Sequence, residues 1–468
     1  MSSTNPQLDF VHGTLELRGV EPVQLGLDGW QFDPRAGCYR ADGNAYRAAA
    51  LALHRQQIPW NDQARKWTPT TWQLYEERTP RPYQTEALDA WRSAQGNGVV
   101  VLPTGAGKTW LAVMAMHAVQ RPTLVVAPTL DLVRQWHGLL RSAFQVEVGV
   151  VGGGDHQVTA LTVTTYDSAW LHMEFFGDRF GLVVFDEVHH LPGASYCQAA
   201  TMSMAPFRLG LTATPEREDG GHAVLDTLVG PVAYRRDIVE LSGRWLAEYD
   251  VERIEVALSD DERQRWQAAR ETYRSFLRDE QLRLGGPNGW SRFIARASRS
   301  ERGREALRAY REQRRLALSP EQKYTVVGTL LHQHRNDRCL IFTADNATAH
   351  QLSRQYLVPA ITHQTKVTER TQILEDLREG TLRAVVTSRV LNEGVDVPEA
   401  NVAIVVSGSG TVREHVQRLG RVLRKRQGKR AILYELVTAD TAEMNTSNRR
   451  RHHSAYRDSA LRDAKRES

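Results

Sequence analysis

Between residues 76 and 240 the apolar positions fall in short runs at 99–102, 123–126, 161–164, 182–185 and 207–211. Each run is rich in Val or Leu and hardly interrupted by polar residues. Such runs are too short for helices and fit strands buried on both faces. The stretches between them carry apolar residues at helical spacing. Strand–helix alternation of this kind predicts a parallel α/β sheet, with ligands at the carboxyl ends of its strands. Residues 323–440 repeat the pattern with CLIFTAD, the helix ATAHQLSRQYL, RAVVTS, NVAIVVS, the helix TVREHVQRLGRVLRK and AILYELV. Residues 241–322 break it: LSDDERQRWQAARETYRSFLRDEQLRL reads as a helix capped by Ser259, with acids in its first turn. A glycine-rich loop at 285–289 and a second helical stretch to about Leu318 follow. At the front, GTLELRGV alternates like a strand, turn signals follow, and AYRAAALALHRQQI reads as an amphipathic helix. The pattern predicts an α/β chain with two parallel-sheet domains, at 76–240 and 323–468, a helical insert at 241–322 and a small α+β domain at 1–75.

Composition adds limits. The 468 residues suit about three domains, and 41% hydrophobic with 25% charged residues is ordinary for a globular protein. The opening MSSTNPQLDF lacks the pattern of a signal peptide, and no apolar run approaches membrane-spanning length. The three cysteines, Cys38, Cys197 and Cys339, offer no disulfide, zinc or iron–sulfur framework; a reducing, cytoplasmic setting is expected. The net charge of +5 is small, so any nucleic-acid surface has to be local. One local excess exists: residues 283–315 hold ten arginines against three glutamates. A solvated helix face and a phosphate-contacting surface explain it equally well. Acids and bases balance in 1–75, where Trp30, Tyr39, Trp60 and Trp67 fit a small core better than a base-stacking surface. Residues 1–75 read as a separable unit whose removal leaves the basal activity of the rest of the chain largely unchanged. The basic tail from Asp440 reads as disordered by default.

The strongest chemistry lies in VVVLPTGAGKT, residues 99–109. A strand ends at Pro103, Gly105-Ala106-Gly107 turns the chain, and Lys108-Thr109 open a helix. Backbone N–H groups and the helix N-terminus then face an anion, Lys108 adds a point charge, and the Thr109 hydroxyl reaches Mg²⁺. This is Walker A spacing, with Leu102 where the stricter pattern has Gly. The second motif, Asp186-Glu187-Val188-His189, follows LVVF. Asp186 at a strand end is assigned to Mg²⁺, and Glu187 to the general base or to water positioning. On TVREHVQRLGRVLRK, Gln417, Arg421 and Arg424 share one helix face, and a cation delivered to a transferring phosphoryl group is worth about 10³–10⁵ in rate.

The order of motifs, from Arg81-Pro82-Tyr83-Gln84 through PTGAGKT, APTLDLVRQW, TTYDS, DEVHH, LTATPERED, CLIFTAD and TSRVLNEGVDVPEA to QRLGRVLRK, resembles that of superfamily two helicases and translocases. Within them the chain is most similar to the XPB family in its archaeal and bacterial form. Arg217-Glu218-Asp219 resembles that family's RED motif, the helical insert its thumb, and the first 70 residues its damage-recognition domain. The segment 446–451 also resembles the family's C-terminal stretch. The resemblance implies two RecA-like domains with ATP and Mg²⁺ between them, 3′-to-5′ DNA opening or translocation in repair, and a monomer; archaeal relatives associate with a nuclease. It implies that Gln84 recognises adenine and that Gly105, Gly107, Lys108 and Thr109 hold the phosphates. Thr212 and Thr214 couple hydrolysis to domain movement, and Gly394 and Asp396 face the cleft. Gln417 positions water or links to the acidic motif, and Arg421 and Arg424 act as arginine fingers delivered from the second domain. Arg217, Glu218 and Asp219 take part in duplex opening. Thr129, Arg134, Thr165, Thr387 and Ser388 fall in motifs that resemble backbone-contacting segments, and each has an equal reading as a cap or turn residue. Two rival readings stay open: another superfamily two motor, and an ATP-gated DNA clamp with little unwinding.

Overall fold

The structure is a computed structural model that describes residues 5–76, 78–216, 220–241, 245, 249–284, 288–388, 400–407, 431–444 and 447. The chain forms two units, Met1–Asp237 and Ile238–Ser468.

The first unit holds two sheets. The smaller consists of β1 (Gln7–Val11), β2 (Thr14–Arg18), β3 (Gln31–Asp33), β4 (Cys38–Asp42) and β5 (Asn61–Asp62), in the order β3-β4-β2-β1-β5. Alternation along β2 sends Leu15 and Leu17 into a core with Leu8, Leu53, Tyr46 and Trp67. The helix Tyr46–Arg55 covers it. Trp67 is buried and meets Tyr46 edge to face at 5.5 Å, while Trp30, Tyr39 and Trp60 pack partly buried around the same core. These aromatics are thus core residues.

The larger sheet comprises β6 (Asn97–Val101), β7 (Thr123–Ala127), β8 (Gly149–Gly152), β9 (Asp155–His156), β10 (Leu161–Thr165), β11 (Leu182–Asp186), β12 (Phe207–Thr212) and β13 (Val232–Arg235), in the order β13-β6-β12-β11-β7-β10-β8-β9. Only β8 and β9 pair antiparallel. Strands β7, β10 and β11 are buried throughout, as their unbroken apolar runs require. The five runs read from the sequence are all strands. The strands β8, β9 and β13, at or next to the sheet's two edges, are not apparent in the sequence, because each is short and only partly buried or exposed.

The small sheet's region docks against the amino ends of the large sheet. Met204, just before β12, enters the small core. Arg47 donates to the Pro206 carbonyl at 2.8 Å, and Lys66 meets the buried Asp178 carboxylate at 2.5 Å. Residues 66–75 continue along that edge, with backbone N–H groups of Lys66, Thr70 and Tyr75 donating to the carbonyls of Asp178, Gln120 and Ala143.

The second unit has one fully parallel sheet of β14 (Tyr249–Val256), β15 (Cys339–Phe342), β16 (Ala360–Ile361), β17 (Ala384–Thr387), β18 (Val402–Val405) and β19 (Ala431–Thr438), ordered β14-β19-β18-β15-β17-β16. β14 corrects the extent read for the helical insert: residues 249–256 belong to this sheet. Its sequence YDVERIEV mixes polar and apolar residues because it is an edge strand, so it lacks the run that marks a buried one. The insert itself is helical, with helices Asp260–Asp279, Gly289–Ala297 and Glu301–Leu318. Ser259 caps the first through a reciprocal bond with Glu262, as its sequence predicts. Phe276, Phe293 and Ala306 form the insert's own core. Among the described residues no helix is long and apolar enough to cross a membrane.

Candidate functional site

The phosphate loop follows β6. Gly105 and Gly107 adopt φ values of +83° and +81°, and Gly107 is the N-cap of the helix Lys108–Val119. A side chain at Gly107 would be strained by that φ and would also meet Gln84 Nε2 at 2.5 Å. Lys108 is buried; its Nζ donates to the Leu102 carbonyl at 3.2 Å and lies 3.9 Å from Glu187 Oε1. Gln84 is equally enclosed. Its Nε2 donates to the Ala106 and Gly107 carbonyls at 3.2 and 3.1 Å, and its Oε1 accepts from the Arg81 N–H at 2.9 Å. Tyr83 adds a bond from its hydroxyl to the Ala106 carbonyl at 2.7 Å. The Arg81–Gln84 turn therefore braces the loop from behind.

Asp186 ends β11 and is buried. Its Oδ2 accepts from Trp136 Nε1 at 2.8 Å, its Oδ1 from the Glu187 N–H at 3.0 Å, and its carbonyl from the Tyr166 hydroxyl at 3.0 Å. Burial, together with the neighbouring Glu187 carboxylate, pushes its carboxyl up to about 6. Glu187 adopts φ +48°, uncommon for a residue with a side chain, and among the described residues its Oε2 has no hydrogen-bond partner. Two adjacent carboxylates held out of water are costly without a cation. The pair and the open loop above Lys108 fit Mg²⁺ carried by a nucleotide. That ion takes one or two carboxylates and completes its shell with phosphate and water. Among the described residues no group of three or more His, Cys, Asp or Glu forms a metal site of its own.

Thr212 ends β12, beside β11. Its hydroxyl lies 3.1 Å from His189 Nδ1 and accepts from the Thr214 N–H at 3.1 Å. His189 Nδ1 is 3.5 Å from Glu187 Oε2. The acidic motif and the threonine motif are thus linked through His189. On the other side of β11, Thr129 follows β7 and caps the helix Leu130–Phe144, and Thr165 ends β10 and caps the helix Tyr166–Phe176. Both hydroxyls serve as caps, which leaves first-turn N–H groups to face an anion. Arg134 is exposed on the first helix, with Asp131 at 3.5 Å.

In the second unit Thr387 ends β17 with its buried hydroxyl donating to the Ser388 carbonyl at 2.8 Å, and Ser388 is buried too. Neither side chain is exposed to a ligand in this conformation. Arg217, Glu218, Asp219, Gly394, Asp396, Gln417, Arg421 and Arg424 lie outside the described residues. In the helical insert, Arg296, Arg302 and Arg315 pair with Glu280, Asp279 and Glu312. Arg304, Arg308 and Arg311 recur at i, i+4 and i+7 on the exposed side of the helix Glu301–Leu318.

Three site residues escape sequence reasoning: Tyr83, Trp136 and Tyr166. A buried Trp or Tyr on an amphipathic helix reads as core, and only its polar tip's partner shows another role.

A parallel sheet with a phosphate loop, an acidic pair and a threonine motif on three neighbouring strands is the motor domain of a superfamily two helicase. The fold is similar to the solved Pyrococcus furiosus Hef helicase domain, with a TM-score of 0.52 at 18% identity, over 79% of this chain and 98% of that one. Residues 77–217 match the family described as Type III restriction enzyme, res subunit. Residues 8–64 match the Xeroderma pigmentosum group B helicase damage recognition domain, and residues 303–457 the ERCC3/RAD25/XPB C-terminal helicase. The chain is 41% identical to the DNA 3'-5' translocase XPB2 of Sulfurisphaera tokodaii, over 79% of this chain and 84% of that protein. It is 32% identical to a putative DNA 3'-5' helicase Rad25 of Halobacterium salinarum, over 80% of this chain and 56% of the relative. The chain belongs to the XPB family of helicases and translocases.

Proposed function

We propose that this protein is an ATP-driven DNA translocase or helicase of 3′-to-5′ polarity that opens or tracks duplex DNA during repair or a related DNA transaction. The observation that carries this reading is the strand order. It sets Lys108, Thr212 and the Asp186–Glu187 pair at or beyond the carboxyl ends of the adjacent strands β6, β12 and β11, and Thr129 and Thr165 at or beyond those of the next two, β7 and β10.

In this reading Gly105, Gly107 and Lys108 hold the nucleotide's phosphates, and Thr109 and Asp186 hold Mg²⁺. Mg²⁺, when bound, neutralises charge on the phosphate oxygens. Glu187 Oε2, which has no hydrogen-bond partner among the described residues, accepts the proton of the attacking water or orients that water. Gln84 contributes adenine selectivity at the edge of the braced loop. Gln417, Arg421 and Arg424, with Gly394 and Asp396, complete the site from the second domain. Thr129, Arg134 and Thr165 touch the DNA backbone, and Arg217, Glu218 and Asp219 act at the duplex junction; the buried Thr387 and Ser388 serve the turn after β17. Arg304, Arg308 and Arg311 add phosphate contacts from the insert. The protein works as a monomer near the nucleoid, with a nuclease as its partner.

The test is the steady-state ATPase rate without nucleic acid and with duplex DNA, single-stranded DNA or RNA, using Lys108→Ala as blank, beside a strand-separation assay. Stimulation by DNA and not by RNA is expected. Stimulation by RNA alone would overturn the DNA motor. Hydrolysis without any stimulation or strand separation would favour a gated clamp.

A further inference from the structure

Asp186 is gripped by two aromatic side chains that come from two different helices. Trp136 lies seven residues after Thr129 on the helix Leu130–Phe144, and its indole N–H meets Asp186 Oδ2 at 2.8 Å. Tyr166 is the first residue of the helix that Thr165 caps, and its hydroxyl meets the Asp186 carbonyl at 3.0 Å. Both rings are buried, at 1% and 2% exposure. A buried Trp or Tyr ordinarily finds some partner for its polar tip. Here both tips converge on Asp186, the residue assigned to Mg²⁺, the indole on its carboxylate and the phenol on its backbone carbonyl, and each comes from a helix that begins at a proposed DNA contact.

The strand order explains how this happens. β11, which carries Asp186, lies beside β7, and β7 lies beside β10. The helices that follow β7 and β10 therefore flank the end of β11. A helix two turns long is rigid over the roughly 10 Å between Thr129 and Trp136, and a close-packed interior passes on a small shift instead of absorbing it.

We infer that Trp136 and Tyr166 are positioning residues that couple DNA engagement at the starts of these two helices to Asp186, so that DNA and the Mg²⁺–nucleotide bind with linked affinities. This rests on the proposed DNA-motor function. DNA seated on the Thr129 and Thr165 helix starts biases the placement of the two helices. The indole N–H and the phenol hydroxyl then set where Asp186 Oδ2 and the Asp186 backbone stand relative to the phosphate loop. Linkage makes the effect reciprocal: whatever factor DNA applies to nucleotide affinity, the Mg²⁺–nucleotide applies to DNA affinity.

The test uses the full chain as wild type, Trp136→Phe and Tyr166→Phe, which keep the rings and remove one donor each. Binding of mant-ADP is titrated in Mg²⁺ with and without a saturating short DNA duplex, and again in EDTA. DNA affinity is measured separately by anisotropy of a labelled duplex. In the wild type, DNA is expected to change mant-ADP affinity by about fivefold or more, and only when Mg²⁺ is present. In each variant that factor falls toward unity while the duplex still binds. A role confined to packing would lower the melting temperature and leave the factor intact. The inference is overturned if both variants keep the wild-type factor, or if wild type binds DNA without any effect on mant-ADP. Failure of the wild type to bind DNA overturns the DNA-motor function instead. Should one variant not fold, the other decides.

Discussion

The two edges of the eight-stranded sheet are built to opposite rules. At the amino edge the strongest buried charges are held by protein partners. Arg208, at the start of β12, is buried and donates to the carbonyls of Ala200, Ser203, Ala205 and Leu228; burial pulls its guanidinium down to about 10. Asp178 has Lys66, and the small N-terminal sheet seals the surface. At the carboxyl edge, by contrast, Thr104 Oγ1, Glu187 Oε2 and Thr214 Oγ1 are buried without a hydrogen-bond partner among the described residues. Two carboxylates adjoin there, and Glu187 holds an uncommon backbone conformation. Unpartnered atoms gathered beside two adjoining carboxylates and a glycine turn call for an explanation, and the proposed nucleotide site supplies one there; the amino edge acts as scaffold.

The comparison can be broken from either side. The largest effect is expected from Lys108→Ala, which should lower ATP turnover by about 10³ or more while the melting temperature stays near that of wild type; retained turnover would move the site elsewhere. On the amino edge, Arg208→Met leaves four carbonyls without their donor and should cost at least about 1–3 kcal/mol in urea unfolding, with turnover per folded molecule unchanged. Deleting residues 1–75 belongs with it. Expecting basal ATPase to survive that deletion treats 1–75 as separable, but Trp67 and Trp72 are buried and the Trp72 indole donates to the Arg121 carbonyl before β7. The truncated chain should therefore lose cooperative unfolding, as seen by circular dichroism; a well-folded truncation would show that the amino edge seals itself.

A smaller effect is expected from pH. Asp186 titrates higher folded than unfolded, so between its ordinary value and about 6 the native state holds an extra proton. Its contribution to stability is present at low pH and is lost as pH rises through about 6. The melting temperature of the nucleotide-free protein should fall across that window, Mg²⁺–nucleotide should restore more stability above it than below, and Asp186→Asn should remove the dependence. Smallest of all, Thr129→Ala should cost about 1 kcal/mol of stability through its lost cap and weaken duplex binding. A loss of stability with unchanged binding would make Thr129 a cap and nothing more.

Much of this was readable from residues alone. The runs at 99–102, 123–126, 161–164, 182–185 and 207–211 are strands because a strand buried on both faces has to be apolar at every position. The glycine turn before Lys108 and the acids after β11 declare themselves because their chemistry needs those residue types in that order. The edge strands β13 and β14 carried no such signal, since a half-exposed strand tolerates Tyr, Arg and Glu. The family resemblance implied a nucleotide role for Gln84; that its amide braces the loop backbone was not readable. Trp136 and Tyr166 were readable only as core.

The sequence by itself determined which residues stand at strand ends, because a local run and its turn obey local sterics and burial. Tertiary structure alone decided which of those ends are neighbours. The motifs occur along the chain as β6, β7, β10, β11 and β12, but the sheet orders them β6-β12-β11-β7-β10. That crossing puts Asp186 between the phosphate loop and the two threonine-capped helices, and no local pattern specifies it. It follows from how each helix packs back across the sheet to start the next parallel strand.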